Sequence, residues 1–205
     1  VKKHNGLWNA DAEKYLLSTS EWREEVEVVK DDPNDKLLNH TITTPGGKLT
    51  YKTGGNRTTT WITDYLIKKP EDIELIEKFM PVAKLNRKTI AAEYDRIGDA
   101  GILRGFVLGD QAGCWQHACC LMPEEQLIVE CMDNPDWVQR LLRALLQRKL
   151  RFIEESLSGA RFDLIETGGG AGSETGISPK LHREFCLPYD RQIHDALHRL
   201  GHRST

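Results

Sequence analysis

The stretch FDLIETGGGAGSETGISPK, residues 162–180, decides the fold. It begins with a short apolar run that ends in a carboxylate, Glu166, as is typical of a buried strand that reaches a pocket. Four glycines then fall within residues 168–172. Ser178 and Pro179 follow, and this pair is typical of a helix start, because serine can cap the first turn and proline loses no helical hydrogen bond there. The stretch therefore predicts a strand, a glycine-rich loop and a helix in succession.

The same order of elements occurs upstream. ILRGFVLG, residues 102–109, predicts a buried strand that only Arg104 interrupts. Residues 133–159 predict a long amphipathic helix that ends at Gly159. Alternating strands and helices are typical of parallel α/β folds, and a closed (β/α)8 barrel needs roughly 250 residues. We therefore expect an α/β fold in which residues 69–205 form the first part of a (β/α)8 TIM barrel.

The N-terminal third has a different pattern. HTITTPGGKLTYKT, residues 40–53, places β-branched runs on both sides of a Pro-Gly-Gly turn, which is a hairpin signal. TTTWIT, residues 58–63, predicts a third strand. We expect residues 1–68 to form an N-terminal segment rich in β-hairpins, within a single domain overall.

Net charge, apolar run length and cysteine count restrict the classes of protein to which this sequence can belong. The 205 residues carry a formal charge of −3, so there is no basic surface to suggest a nucleic-acid partner. Apolar runs fall far short of the ~20 residues of a membrane span, and the N-terminus has no signal-peptide core. Five cysteines, an odd number, favour reduced thiols. These features predict a cytoplasmic protein, and the sequence, which starts at Val1 and stops soon after a predicted helix, is expected to be a fragment truncated at its C-terminus.

The glycine loop does not match a nucleotide-binding motif. Ser173 occupies the place of the third glycine of G-x-G-x-x-G, and no G-x-x-x-x-G-K-[ST] occurs. The loop instead offers close backbone approach beside Glu166, which predicts a pocket lined by Gly168, Gly169 and Ser173. The alternative interpretation is a flexible turn that only connects the strand to the helix.

A second cluster, GDQAGCWQHACC, follows the other predicted strand. Cys114, His117 and Cys120 lie three residues apart, so a helix would bring them near one face, where they could bind zinc. Buried cysteines that only pack are the favoured interpretation, because the spacing matches no strong zinc signature. His117 is either a polar group at a pocket mouth, together with Gln116, or a histidine of the interior.

Three further polar side chains have structural interpretations. Arg104 could meet an anionic ligand, but a pair with a core carboxylate is favoured. His194 and His198 are i,i+4 neighbours on the last predicted helix, where we expect a solvated face.

Several motifs resemble those of one family. ISPKLHREFCLPYDRQIHDALHRLG resembles the helix entry of the uroporphyrinogen decarboxylase superfamily, whose pattern is SP-x-x-[FH]-x-x-F-x-x-P-Y. GFVLGDQAG resembles that family's GF-x-G-x-P-[WF]-T strand end, and TPGGKLTYK with IKKPEDIELIEKF resembles the TPxG…K-x-x-E-D run of its methyltransferase-like branch. The resemblance covers most of residues 40–201 and implies a (β/α)8 barrel.

The resemblance implies one of two chemistries. The first branch decarboxylates uroporphyrinogen in haem synthesis without a cofactor. The second moves methyl groups between a corrinoid protein, or another methylated donor, and a small-molecule thiol that zinc activates. Zinc lowers the pKa of the thiol and so supplies a thiolate nucleophile at neutral pH.

The resemblance assigns family site positions to individual residues of this sequence. An ungapped match places His117 at the tyrosine of the decarboxylase, and Glu166 with Thr167 at the Glu-Ser of its FES motif. Gln111 occupies the proline position of G-x-P-W-T. The arginine-rich signature that binds substrate carboxylates is absent from this sequence, which counts against decarboxylation.

The methyltransferase branch is therefore the leading hypothesis, and a homodimer is among its expected assemblies. Glu166 and His117 are the predicted catalytic residues. The predicted substrate-binding residues are Asp110, Gln111, Gln116, Thr167, Gly168, Gly169 and Ser173. The family's zinc ligands, a His-x-Cys and a later Cys, would lie beyond Thr205, so this chain alone is expected to hold neither zinc nor corrinoid and to be inactive. The alternatives are uroporphyrinogen decarboxylase and a non-catalytic corrinoid- or tetrapyrrole-binding protein.

Overall fold

The computed structural model describes residues 2–5, 19–107 and 113–205. The strands are β1 (Lys2–Asn5), β2 (Arg23–Asp32), β3 (Asp35–Thr44), β4 (Gly47–Gly55), β5 (Thr60–Asp64), β6 (Gly101–Phe106) and β7 (Leu164–Glu166). The helices are α1 (Asp72–Phe79), α2 (Arg87–Ile97), α3 (Cys114–Leu121), α4 (Glu124–Asp133), α5 (Pro135–Phe152), α6 (Pro179–Leu181) and α7 (Leu187–Arg199). Within these ranges no helix is both long and apolar enough to cross a membrane.

Strands β2 to β5 form an antiparallel sheet in sequence order. The predicted hairpin is confirmed as β3 and β4, in which Ile42 lies opposite Leu49. The Thr44 hydroxyl closes the turn, since it donates to the Gly47 carbonyl at 2.8 Å. A Cβ atom on Gly46 would lie 2.8 Å from Leu75 Cδ2, so this turn packs directly against α1 and needs a residue without a side chain.

Strands β1, β6 and β7 form a separate parallel sheet with β6 in the middle. Arg104 lies opposite Leu164 across β6 and β7. The Asp163 carboxylate, just before β7, accepts the backbone N–H of Leu103 at 2.7 Å and so fixes this register. The residues after α7 pair in parallel with β7, because Ile165 N–H donates to the Arg203 carbonyl at 2.8 Å.

The predicted partial (β/α)8 barrel is wrong. The described residues form an open three-stranded parallel sheet and a separate four-stranded antiparallel sheet, and they contain no closed barrel. The error has a physical cause. Alternating strands and helices predict parallel pairing, but they do not say whether the sheet closes, because closure depends on tilt and register between strands that are distant in sequence.

Helix α5 is the central helix of the fold. Its predicted apolar face is buried, and its most buried leucines are Leu141, Leu142 and Leu145. The helix continues as a π-helical turn, Ile153–Leu157, and the chain then reverses at Gly159, whose φ of 73° is accessible to glycine at low cost. Contacts with α1, α3, α4 and α7 make α5 the helix on which the others pack.

The Arg148 guanidinium joins α5 to the end of α1. It donates to the carbonyls of Glu77 and Met80 at 2.9 Å each, to that of Ile76, and to that of Ala144 within α5 at 2.8 Å. The last carbonyls of a helix have no partner within the helix, so a buried helix end needs donors from elsewhere. Arg148 supplies them while it is only 9% exposed.

Replacing this guanidinium is expected to separate α1 from α5. Arg148→Met keeps most of the aliphatic volume but removes the guanidinium donor from the Glu77 and Met80 carbonyls, while the Ile76 carbonyl keeps the Met80 N–H, and we expect a loss of about 3 kcal/mol in the free energy of unfolding. Urea unfolding followed by circular dichroism measures it. Arg151→Met is the matched control, because Arg151 is exposed and makes only an i,i+4 ion pair with Glu155, for which the expected change is within about 0.5 kcal/mol. Equal losses for the two variants would contradict the assignment.

Candidate functional site

The candidate site lies where the carboxyl end of β7 meets the glycine loop and the start of α3. The Ala171 backbone N–H donates to Gln116 Oε1 at 2.8 Å, which fastens the loop to α3. A Cβ atom on Gly169 would lie 2.4 Å from Gln116 Cβ, so the loop backbone rests directly on the Gln116 side chain. Gln116, predicted to line a pocket, therefore positions the glycine loop.

Glu166 is held in an ion pair. Its carboxylate accepts from the Arg104 guanidinium, and the two side chains are 31% and 28% exposed. The guanidinium also lies 4.9 Å from the centre of the Phe106 ring. The pairing favoured for Arg104 from sequence is confirmed, and it holds a partly accessible carboxylate beside the loop. Such a group accepts hydrogen bonds and orients a bound donor.

His117 points into the protein. Its Nδ1 atom is buried and has no hydrogen-bond partner within the described part of the chain. Burial, and then the positive charges of Lys149 and Arg148, hold the pKa of His117 well below its usual value. The imidazole is therefore neutral at pH 7, and it can accept or donate a hydrogen bond but cannot act as a cationic acid.

Thr167 lies on the face of the strand opposite Glu166, as adjacent residues of a strand do. Its hydroxyl donates to the Thr205 carbonyl at 2.6 Å and therefore accepts from His194 Nε2 at 2.9 Å. The other nitrogen of the His194 ring, Nδ1, then accepts from the Ser204 hydroxyl at 2.6 Å. The Ser204 hydroxyl in turn accepts from His198 Nε2 at 3.0 Å. Thr167 is only 2% exposed, so it belongs to this network and not to the surface beside Glu166.

Of the two histidines of α7, His198 lies on the solvated face that the sequence predicts, and His194 does not. His198 is exposed, but His194 is partly buried, and both bond to Ser204. Burial, and then the charge of His198, lower the pKa of His194. The prediction failed for His194 because its two partners arrive from β7 and from the residues after α7, which the spacing within one helix does not reveal.

Two charged residues complete the site, the partly buried Asp190 and the fully buried Lys149, and the sequence analysis missed both. A Cβ atom on Gly113, where α3 begins, would lie 3.6 Å from Asp190 Oδ1 and from the Thr167 carbonyl, so α3, α7 and the end of β7 meet there. Burial raises the pKa of Asp190 to about 6, against the opposing charges of His182 and Lys149. Lys149 is fully buried. A signal for Lys149 existed, since it continues the apolar stripe of α5 at helical spacing.

The remaining predicted site residues lie apart or cannot be placed. The Ser173 hydroxyl bonds only to that of Thr175, at 2.7 Å, on the exposed side of the loop. Gly168 has open space around its Cα. Asp110 and Gln111 lie outside the described residues.

The cysteine cluster of α3 is mainly internal. Cys114 is fully buried, and burial raises the pKa of its thiol to about 12. Cys120 is partly buried and lines a different cleft, next to the antiparallel sheet. Across residues 2–5, 19–107 and 113–205, no three His, Cys, Asp or Glu side chains are grouped so that they could hold a metal ion.

Gly169→Ala is expected to detach the glycine loop from α3. Its methyl group would overlap the Gln116 side chain, and overpacking of this kind costs about 1–3 kcal/mol. Thermal unfolding measures the cost, and amide exchange at Ala171 reports the loss of the Gln116 hydrogen bond. Gly168→Ala is the control, because a Cβ atom there meets nothing within 4 Å. The packing argument fails if the two variants behave alike.

Asp190 makes stability depend on pH. Its pKa in the folded state, about 6, lies above the ordinary aspartate pKa of 3.8, so between these values the folded state binds a proton that the unfolded chain has released. Stability therefore falls as pH rises from about 4 to 6, by roughly 3 kcal/mol at most. Asp190→Asn should flatten this part of the profile in urea unfolding between pH 4 and pH 7. Asp195→Asn, exposed on the same helix, should leave the profile unchanged, and an unchanged profile for both variants would refute the role of Asp190.

Known proteins give no assignment for this site, so its interpretation depends on its geometry and on the motif resemblance. No protein-family model matches the sequence, and no curated protein matches it significantly.

Proposed function

We propose that the chain is part of a zinc-dependent methyltransferase of the uroporphyrinogen decarboxylase superfamily, which moves a methyl group between a corrinoid protein, or another methylated donor, and a small-molecule thiol. The observation that carries the proposal is the pairing of residues 203–205 with β7. The resemblance assigns the zinc ligands to the strand after the last helix. Ligands on that strand would reach the same sheet edge as Glu166 and the glycine loop.

The described residues do not themselves provide the zinc site. They contain no group of three His, Cys, Asp or Glu placed for a metal, and Cys114 is a buried thiol whose pKa is raised. The resemblance places the ligands that the proposal requires on the strand after the last helix, which residues 203–205 begin. Zinc, when bound, would supply a thiolate at neutral pH.

The residues of this chain supply binding and orientation. Arg104 holds the Glu166 carboxylate in place, so that it can accept a hydrogen bond from a bound methyl donor or acceptor molecule. The glycine loop, fixed by Gln116, allows close approach of a flat or bulky group. The network of Thr167, His194 and Ser204 holds residues 203–205 against β7 and so fixes the position of whatever that strand carries.

The decarboxylase alternative lacks this support. A substrate with four acetate side chains needs several cationic partners, and the Arg104 guanidinium, which lies at this edge of the sheet, already pairs with Glu166. The other buried cationic side chains, Arg148 and Lys149, lie on the central helix α5. The geometry therefore favours methyl transfer.

The test uses the complete gene product. Sequencing past the codon for Thr205 should reveal a His-x-Cys and a later Cys, and the purified protein should contain one zinc per chain. Methyl transfer from methylcobalamin to coenzyme M should be measurable by the absorbance of the corrinoid. Glu166→Gln should lower this rate by at least about tenfold, whereas Glu174→Gln, exposed on the same loop, should not.

Two outcomes would overturn the proposal. One is a reading frame without those ligands. The other is a full-length protein that binds no zinc and transfers no methyl group, and release of carbon dioxide from uroporphyrinogen would then establish the decarboxylase. Circular dichroism of Glu166→Gln separates loss of activity from loss of folding.

A further inference from the structure

A second cleft lies between the antiparallel sheet, the segment that follows α1 and the C-terminal end of α3, whereas the candidate site lies at the N-terminal end of α3. The volume of the second cleft is about 240 Å³. The lining residues are Trp22, Glu24, Ile42, Tyr51, Ile62, Leu66, Met80, Pro81, Cys120 and Leu121. The walls are thus mostly apolar, and they include two aromatic side chains and one carboxylate.

The carboxylate belongs to a hydrogen-bonded group at one side of the cleft. Glu24 accepts from the Tyr51 hydroxyl at 2.5 Å and bonds to His40 Nδ1 at 2.9 Å. The other ring nitrogen of His40 bonds to the Thr53 hydroxyl at 2.9 Å, and the imidazole stacks on the Tyr51 ring with centroids 4.1 Å apart. The Tyr51 hydroxyl and the His40 ring thus both bond to the Glu24 carboxylate and hold it at the side of the cleft.

Glu24 is the one acidic residue among the described residues that line the cleft. None of these lining residues is a lysine or an arginine. Glu24 is 25% exposed and His40 11%, so water screens this negative charge only in part. An anionic ligand is excluded by repulsion, and the Tyr51 hydroxyl and the His40 ring are already directed at Glu24.

We propose that this cleft binds an organic ammonium cation with an apolar body. Trp22 and Tyr51 line the cleft, where aromatic rings can attract a cation, and the Glu24 carboxylate adds a direct charge attraction. The apolar walls bury the alkyl or aryl body of the ligand. A cavity of about 150 Å³ holds benzene, so this cleft suits a ligand of roughly ten heavy atoms. The inference does not depend on the methyl-transfer proposal, because it uses a different sheet and different residues.

The first experiment compares two probes of the same shape. Phenyltrimethylammonium and tert-butylbenzene differ only by a cationic nitrogen in place of a carbon atom. Each is titrated into the protein, and binding is followed by the NMR signals of the Met80 methyl group. The cation should bind at least about tenfold more tightly than the neutral probe. Equal affinities, or no binding of the cation, would overturn the proposal.

The second experiment locates the charge. Glu24→Gln keeps an acceptor for the Tyr51 hydroxyl and should weaken binding of the cation at least about tenfold, with little effect on tert-butylbenzene. Glu25→Gln is the control, because Glu25 is exposed and pairs with Arg23 on the outer face of β2. Equal weakening by the two variants would show a general surface effect and refute the site.

A third variant separates loss of binding from loss of folding. Tyr51→Phe keeps the ring and removes one hydrogen bond to Glu24, so it should retain cation binding. If Tyr51→Phe folds normally, as judged by its circular dichroism, and still loses binding, the charge-based account is wrong. If Glu24→Gln unfolds, Trp22→Leu replaces it, and this variant should weaken binding of the cation more than binding of the neutral probe.

Discussion

The connection between α1 and α5 through Arg148 holds the two halves of the molecule together. The turn of the β3–β4 hairpin packs on α1, and the carbonyls at the end of α1 are satisfied by a guanidinium that belongs to α5. Helix α5 in turn packs against α3 and α7, which flank the parallel sheet. This buried side chain fixes the antiparallel sheet relative to the candidate site together with the Arg140–Glu77 ion pair and the hydrogen bond from Ile67 N–H to the Leu121 carbonyl. An unsatisfied helix end in the interior would be costly.

The end of β7 divides the site into two parts. Glu166, paired with Arg104, faces one side of the sheet, while Thr167 faces the helices and bonds to His194. A single strand end therefore provides a charged surface that can meet a ligand and a buried anchor for residues 203–205. The two roles are separable, because adjacent strand residues cannot share a face.

Local features of the sequence were predicted well, and contacts between distant residues were not. The β3–β4 hairpin, the long helix and the Ser178 cap follow from turn residues, apolar spacing and capping, all of which act over a few residues. The pair of Arg104 with Glu166 was accessible because a lone charge in an apolar strand needs a partner. The barrel was wrong, and Asp190 and His194 were missed or misassigned, because sheet closure and burial on α7 depend on elements far away in the sequence. Nothing in the local pattern around Asp190 reveals that α3 covers it.

The burial of the cysteines has a practical consequence for how the dynamics of this molecule can be observed. Cys114, Cys131 and Cys186 are buried, and burial raises the pKa of each thiol to about 12. A thiol reagent can reach them only when the surrounding structure opens, since the reactive species is the exposed thiolate. They lie on α3, on α4 and in the π-helical turn before α7, respectively. Labelling kinetics followed by peptide mass spectrometry would thus report opening of three separate segments around α5, without any introduced probe.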